Sequence, residues 1–153
     1  MDDTPSQSES GFDPSGLDRR SYNLGMIYAF VEVVASGCKR LALSPALTCE
    51  EFEEIWEDAV IIAREYGVLL EVDESFLTTR LFNPRYTEDK NVIHIAAERE
   101  TLEEYRGLKE LKRSYIEKGG LTEEAELEIA WGLGRLLSYS DEAIEGLLER
   151  PRF

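Results

Sequence analysis

A chain of 153 residues is long enough to bury roughly two-thirds of the surface its unfolded form exposes, so one self-sufficient core is expected without metal or disulfide. Its 32 acidic against 17 basic side chains give a formal net charge of −15, which repels phosphate backbones and anionic lipid and argues against general nucleic-acid or membrane-surface binding. Two cysteines and one histidine are too few for the usual zinc ligand sets.

Residues 1–18 are rich in Ser, Asp, Pro and Gly and carry few large apolar groups, a composition that predicts a disordered polar tail ahead of a single domain over 19–153. Met1-Asp2-Asp3 opens the chain without a basic and then apolar leader, and Cys38 and Cys49 lack a Cys-x-x-Cys arrangement, so a reducing, cytoplasmic compartment is expected. From Tyr22, helical spacing through Met26, Phe30, Val33 and Val34 predicts a first helix that Gly37 ends. The apolar stretch Leu24 to Val34 contains Glu32 and falls short of the roughly twenty residues a membrane span requires, so it reads as a core helix.

A strand is predicted over 39–44, stopped by Pro45. Thr48 and Glu51 then form a capping box for a second helix whose apolar stripe runs Phe52, Ile55, Trp56, Ala59, Ile62, Ala63 and Tyr66. Gly67 closes that helix, and Val68 to Val72 predicts a second strand. Phe76, Thr78, Arg80 and Phe82 alternate as an edge strand would, Asn83-Pro84 breaks the pattern, and Asn91 to Ala96 predicts another strand. A third helix carries Leu102, Tyr105, Leu108, Leu111 and Tyr115 on one face and ends at Gly119-Gly120. Thr122 caps a fourth helix, and Ser140-Asp141 opens a short fifth.

Strand, helix and strand at these lengths predict a parallel βαβ unit, hence a small, three-layer-like α/β domain of three or four strands with residues 122–149 as a C-terminal helical extension. The alternative is an α+β fold with an antiparallel meander through Val68 to Ala96, closed by a hairpin at Asp73-Glu74-Ser75.

In a parallel sheet the carboxyl ends of the strands would gather Ser44, Asp73, Glu74 and Glu98, with Thr78, Thr79 and Arg80 nearby as ligand-binding candidates. Asp73, Glu74 and Glu98 have the oxygen chemistry to hold Mg²⁺, although capping alone accounts for acidic residues at these places, and no metal site is assigned. His94 is the one side chain suited to acid–base work near neutral pH, yet its mid-strand position beside Val92 and Ala96 suits a packed, hydrogen-bonded ring. Arg80, Arg85 and Tyr86 form a small cationic, aromatic patch. Gly132 and Gly134, inside the fourth helix, point to close helix packing rather than phosphate binding.

No nucleophile elbow or phosphate loop follows any predicted strand. The expected function is therefore that of a non-catalytic protein-binding or self-associating module acting through its C-terminal helices. The alternative is a small-molecule or metal-dependent enzyme using Asp73 and Glu74 with His94 as base.

Overall fold

The computed structural model describes residues 11–151. Within the segment expected as a tail, Pro14–Gly16 form a 3-10 turn capped by Asp13, and residues 1–10 lie outside the described residues. Five helices follow: α1 (Arg19–Ala35), α2 (Cys49–Tyr66), α3 (Arg99–Glu117), α4 (Glu123–Leu136) and α5 (Asp141–Glu149). Four of them start where a short polar side chain accepts an orphan amide: Asp18, Thr48, Thr122 and Ser140. At Thr48 the capping box is complete, because Glu51 also accepts from the Thr48 amide at 3.2 Å. Gly67 ends α2 at φ 69°, a left-handed conformation that costs glycine little.

Three strands, β1 (Leu41–Leu43), β2 (Leu69–Asp73) and β3 (Val92–Ala96), form one sheet in the order β1-β3-β2. β3 is antiparallel to both neighbours. The expected parallel pair does not form: β1 and β2 run the same way, as a helical crossover requires, but β3 lies between them. The reason is side-chain composition. All five residues of β3 are buried, and this strand takes the position with a neighbour at both edges; β1 offers only three residues to pair, and β2 is half-buried along most of its length, so both sit outside. The architecture is thus mixed α+β with an antiparallel sheet, although the alternative reading's tight hairpin is absent too. Residues 74–91 make a long loop between β2 and β3, and Asp73-Glu74-Ser75 is an Asx turn, with the Ser75 amide donating to Asp73 Oδ1 at 3.0 Å.

The expected edge strand over Phe76 to Phe82 is not formed. Phe76, Leu77 and Leu81 are buried together in the core, a pattern that alternation cannot supply. The segment folds over the sheet instead of joining it.

Alternation along β3 divides the interior. Ile93 and Ile95 face α1 and α2, packing with Ile27, Val31, Ile55 and Ala59. Val92 and Ala96 face the other way, into a larger cluster made with α3, α4, α5 and the 74–91 loop. The C-terminal helices are therefore part of this second layer rather than an extension from it: Ile129, Leu133, Leu136, Ile144 and Leu147 are all buried there. Gly134 permits the contact, since a Cβ at that position would lie 2.6 Å from Ile144 Cγ1; at Gly132 it would lie 2.7 Å from Leu108 Cδ2.

Candidate functional site

Strand direction decides which candidate residues can meet. Asp73 pairs with Val92 and Leu43 with His94, so the carboxyl ends of β1 and β2 lie at the end where β3 begins. Ser44 and Asp73 share that end. Glu98 follows Ala96, which pairs with Leu41 and Leu69, and so stands at the opposite end of the sheet. Glu74 is exposed beside Asp73. The oxygen set of Asp73, Glu74 and Glu98 is not assembled, because antiparallel pairing reverses β3, and among the described residues no group of three His, Cys, Asp or Glu is arranged to hold a metal ion.

Asp73 and His94 do come together, on the face of the sheet that α3 covers. His94, only 1% exposed, places Nε2 3.0 Å from Asp73 Oδ2. The same oxygen accepts from the Tyr105 hydroxyl at 2.5 Å. The other, Oδ1, accepts from Lys109 Nζ at 2.7 Å and from the Ser75 amide. Tyr105 and Lys109 lie four residues apart on α3, hence on one helix face, and Arg106 beside them closes an ion pair with Glu71. Burial by itself would raise the Asp73 pKa. The hydrogen bonds from His94, Lys109 and Tyr105, together with the ammonium charge, outweigh burial and hold the carboxyl well below the usual carboxylate range. Burial and the adjacent carboxylate push the Tyr105 hydroxyl the other way, far above the usual phenol range.

With Asp73 ionised and acceptor-only, His94 Nε2 carries the proton that it shares, and Nδ1 is left buried without a hydrogen-bond partner among the described residues. The Phe76 ring stacks on both His94 and Tyr105, at 5.9 and 6.0 Å between centroids, and the Leu77 amide donates to the Tyr105 hydroxyl at 2.9 Å. The network fastens the start of the 74–91 loop to α3 and β3. Both oxygens of the Asp73 carboxylate are taken by protein donors.

On the other side of Phe76 a pocket of about 300 Å³ opens along β1. One wall is α1, whose Tyr22, Met26 and Phe30 recur every four residues beside the core stripe of Ile27 and Val31. The β1 terminus supplies Leu43, Ser44 and Pro45. The long loop contributes Phe76, Phe82, Tyr86 and Thr87, while Val92 and Tyr139 complete the lining. Among the described residues, six of these twelve lining residues are aromatic and none is charged.

Ser44, an expected ligand-binding residue, is in this lining but already engaged. Its hydroxyl accepts from the Ile93 amide and donates to the Pro45 carbonyl, both at 2.8 Å, which carries the β1–β3 pairing one residue beyond Leu43, up to the break at Pro45. Thr78, Thr79 and Arg80 lie elsewhere, around a smaller recess of about 130 Å³ against α3 and α4. There Lys112 Nζ donates to the Thr78 carbonyl at 2.7 Å, Thr79 Oγ1 accepts from the Leu81 amide, and Arg80 pairs with Glu123 and Glu126. The cationic patch thus serves internal ion pairing at Arg80. Reading the sequence missed Tyr105 and Lys109 as partners of Asp73, and missed the pocket altogether; the one available signal was the second α1 stripe at 22, 26 and 30.

Comparison of the chain with protein-family models, with curated proteins and with solved structures finds no match.

Proposed function

We propose that this chain is a non-catalytic binding protein that accommodates a small, largely apolar ligand in the pocket between α1, the end of β1 and the 74–91 loop. The observation that carries the reading is the lining itself: among the described residues half of it is aromatic and none of it charged, on a chain in which 32% of residues are charged. At about 300 Å³ it has the volume of a small-molecule site.

The enzyme alternative draws less support, because Asp73 and His94 are sealed in a hydrogen-bonded network and Glu98 lies at the far end of the sheet. Docking of a protein through the C-terminal helices also draws less, since α4 and α5 spend their apolar faces on the core. Cys38 and Cys49 are exposed and unpaired, which fits a reducing compartment such as the cytoplasm, and no helix among the described residues is long and apolar enough to cross a membrane.

Titration with octan-1-ol followed by NMR tests the reading. Methyl shifts are expected at Met26, Leu43 and Val92, and Met26→Trp, which fills the pocket, should abolish them. Shifts confined to other surfaces, or none at all, would overturn it.

A further inference from the structure

We infer that the ligand of this pocket is an apolar monocarboxylate, its body against the aromatic wall and its anionic head at the Lys39 ammonium. This rests on the binding role proposed above and adds the ligand's charge.

Lys39 Nζ sits 4.9 Å from the centre of the Tyr139 ring and 6.0 Å from that of Phe30, two rings of the pocket lining. Lys90 Nζ lies 5.9 Å from the centre of the Tyr86 ring, a third. Both lysines are half-buried. Neither has a carboxylate within ion-pair distance among the described residues, on a chain with nearly two acids for every base.

The other lysines of intermediate burial are satisfied differently: Lys109 meets Asp73, and Lys112 meets the Thr78 carbonyl. Arg40, next to Lys39 in sequence, pairs with Glu104. Burial lowers the Lys39 pKa, with no neighbouring charge to offset it. A half-desolvated ammonium held against two ring faces keeps part of its electrostatic demand unmet, and an incoming carboxylate would satisfy it with a charge-assisted hydrogen bond.

The uncharged lining sets the rest of the molecule. With no charge inside among the described residues, a second ionised group on the ligand would be desolvated without a partner. At water's share of about 30 Å³ per heavy atom, the pocket holds roughly ten non-hydrogen atoms, the size of a medium-chain or single-ring acid.

Calorimetric titration of the full chain with octanoate, octan-1-ol and octylammonium separates charge from shape. Octanoate is expected to bind about ten- to a hundredfold more tightly than octan-1-ol, the range that a charge-assisted hydrogen bond supplies. Lys39→Gln should remove that preference, the variant binding octanoate no more tightly than octan-1-ol, Lys39→Arg should retain it, and Lys90→Gln should weaken octanoate by a smaller factor.

Equal binding of octanoate and octan-1-ol, unaffected by Lys39→Gln, would overturn the anionic ligand while the pocket reading stands. Tighter binding of octylammonium would overturn it in favour of a cation held by the rings. Failure of all three probes to bind would remove both the ligand and the pocket reading.

Discussion

The Tyr105 hydroxyl donates to Asp73 Oδ2 at 2.5 Å and, from its other side, accepts the Leu77 amide at 2.9 Å. One phenol thus joins the end of β2 to the loop that forms a wall of the pocket. Tyr105→Phe removes the donor and orphans a buried amide, which should cost about 1–3 kcal/mol in urea unfolding. It should also speed hydrogen exchange at Leu77 more than at amides of α1, since α1 belongs to the other layer. A uniform change in exchange would show that Tyr105 acts only as bulk packing.

Asp73→Asn should be costlier. It leaves the Lys109 ammonium facing a neutral amide and deprives His94 of an ionised acceptor. Removing one partner of a buried pair costs about 3–5 kcal/mol, and the lower end is expected because Lys109 keeps 31% of its side chain in water.

The acid dependence follows from the same carboxylate. Its folded pKa lies below its unfolded value, so its stabilisation is complete above the unfolded carboxylate pKa of about 3.9 and is lost as pH falls through the folded value. The gap in unfolding free energy between the native chain and Asp73→Asn should therefore stay constant from pH 7 to about pH 5 and narrow toward pH 2. A gap that widens on acidification would show that Asp73 is protonated in the native state.

Ser44→Ala tests the division between structure and binding. The Ile93 amide loses its acceptor inside the sheet, a loss of about 1–3 kcal/mol. Affinity for octan-1-ol should change little in the folded fraction, because the hydroxyl is already committed to backbone groups.

Two glycine substitutions should have opposite signs. Gly134→Ala drives a methyl into Ile144 and should destabilise by about 1–3 kcal/mol despite alanine's better helix propensity. Gly107→Ala, in α3 with nothing within 4 Å of the new carbon, should stabilise by about 0.5–1 kcal/mol. Thermal melts of the two variants give both signs in one experiment.

The helices were legible because their signals are local. Thr48 with Glu51, Gly67, Thr122 and Ser140 lie within a few residues of the bonds they make, and the α2 stripe through Ile55, Ala59 and Ala63 needs only a period of 3.6 to be read. His94 was likewise legible as a packed strand residue. Its partner was not. Asp73 is 21 residues away and Tyr105 lies 32 residues beyond Asp73, distances over which no periodicity carries information. The segment Phe76 to Phe82 misled for a related reason, since its alternation is that of a strand while its fate is decided by α3 and α4 folding over it.

By itself the sequence determined the five helices and the buried stripe of α2, because capping and hydrophobic period act between near neighbours; it also offered an edge strand over 76–82 that does not form, and it read the α1 stripe through Met26 and Phe30, where the buried face is Ile27, Val31 and Val34. Only the tertiary structure decided which strand lies in the middle, which way it runs and what stands at its ends. β3, with all five of its residues buried, lies at the centre, and its reversal carried Glu98 away from Asp73 and Ser44. The same step left the end of β1 against α1 and the long loop, where a pocket rich in aromatic side chains opens on an acidic chain.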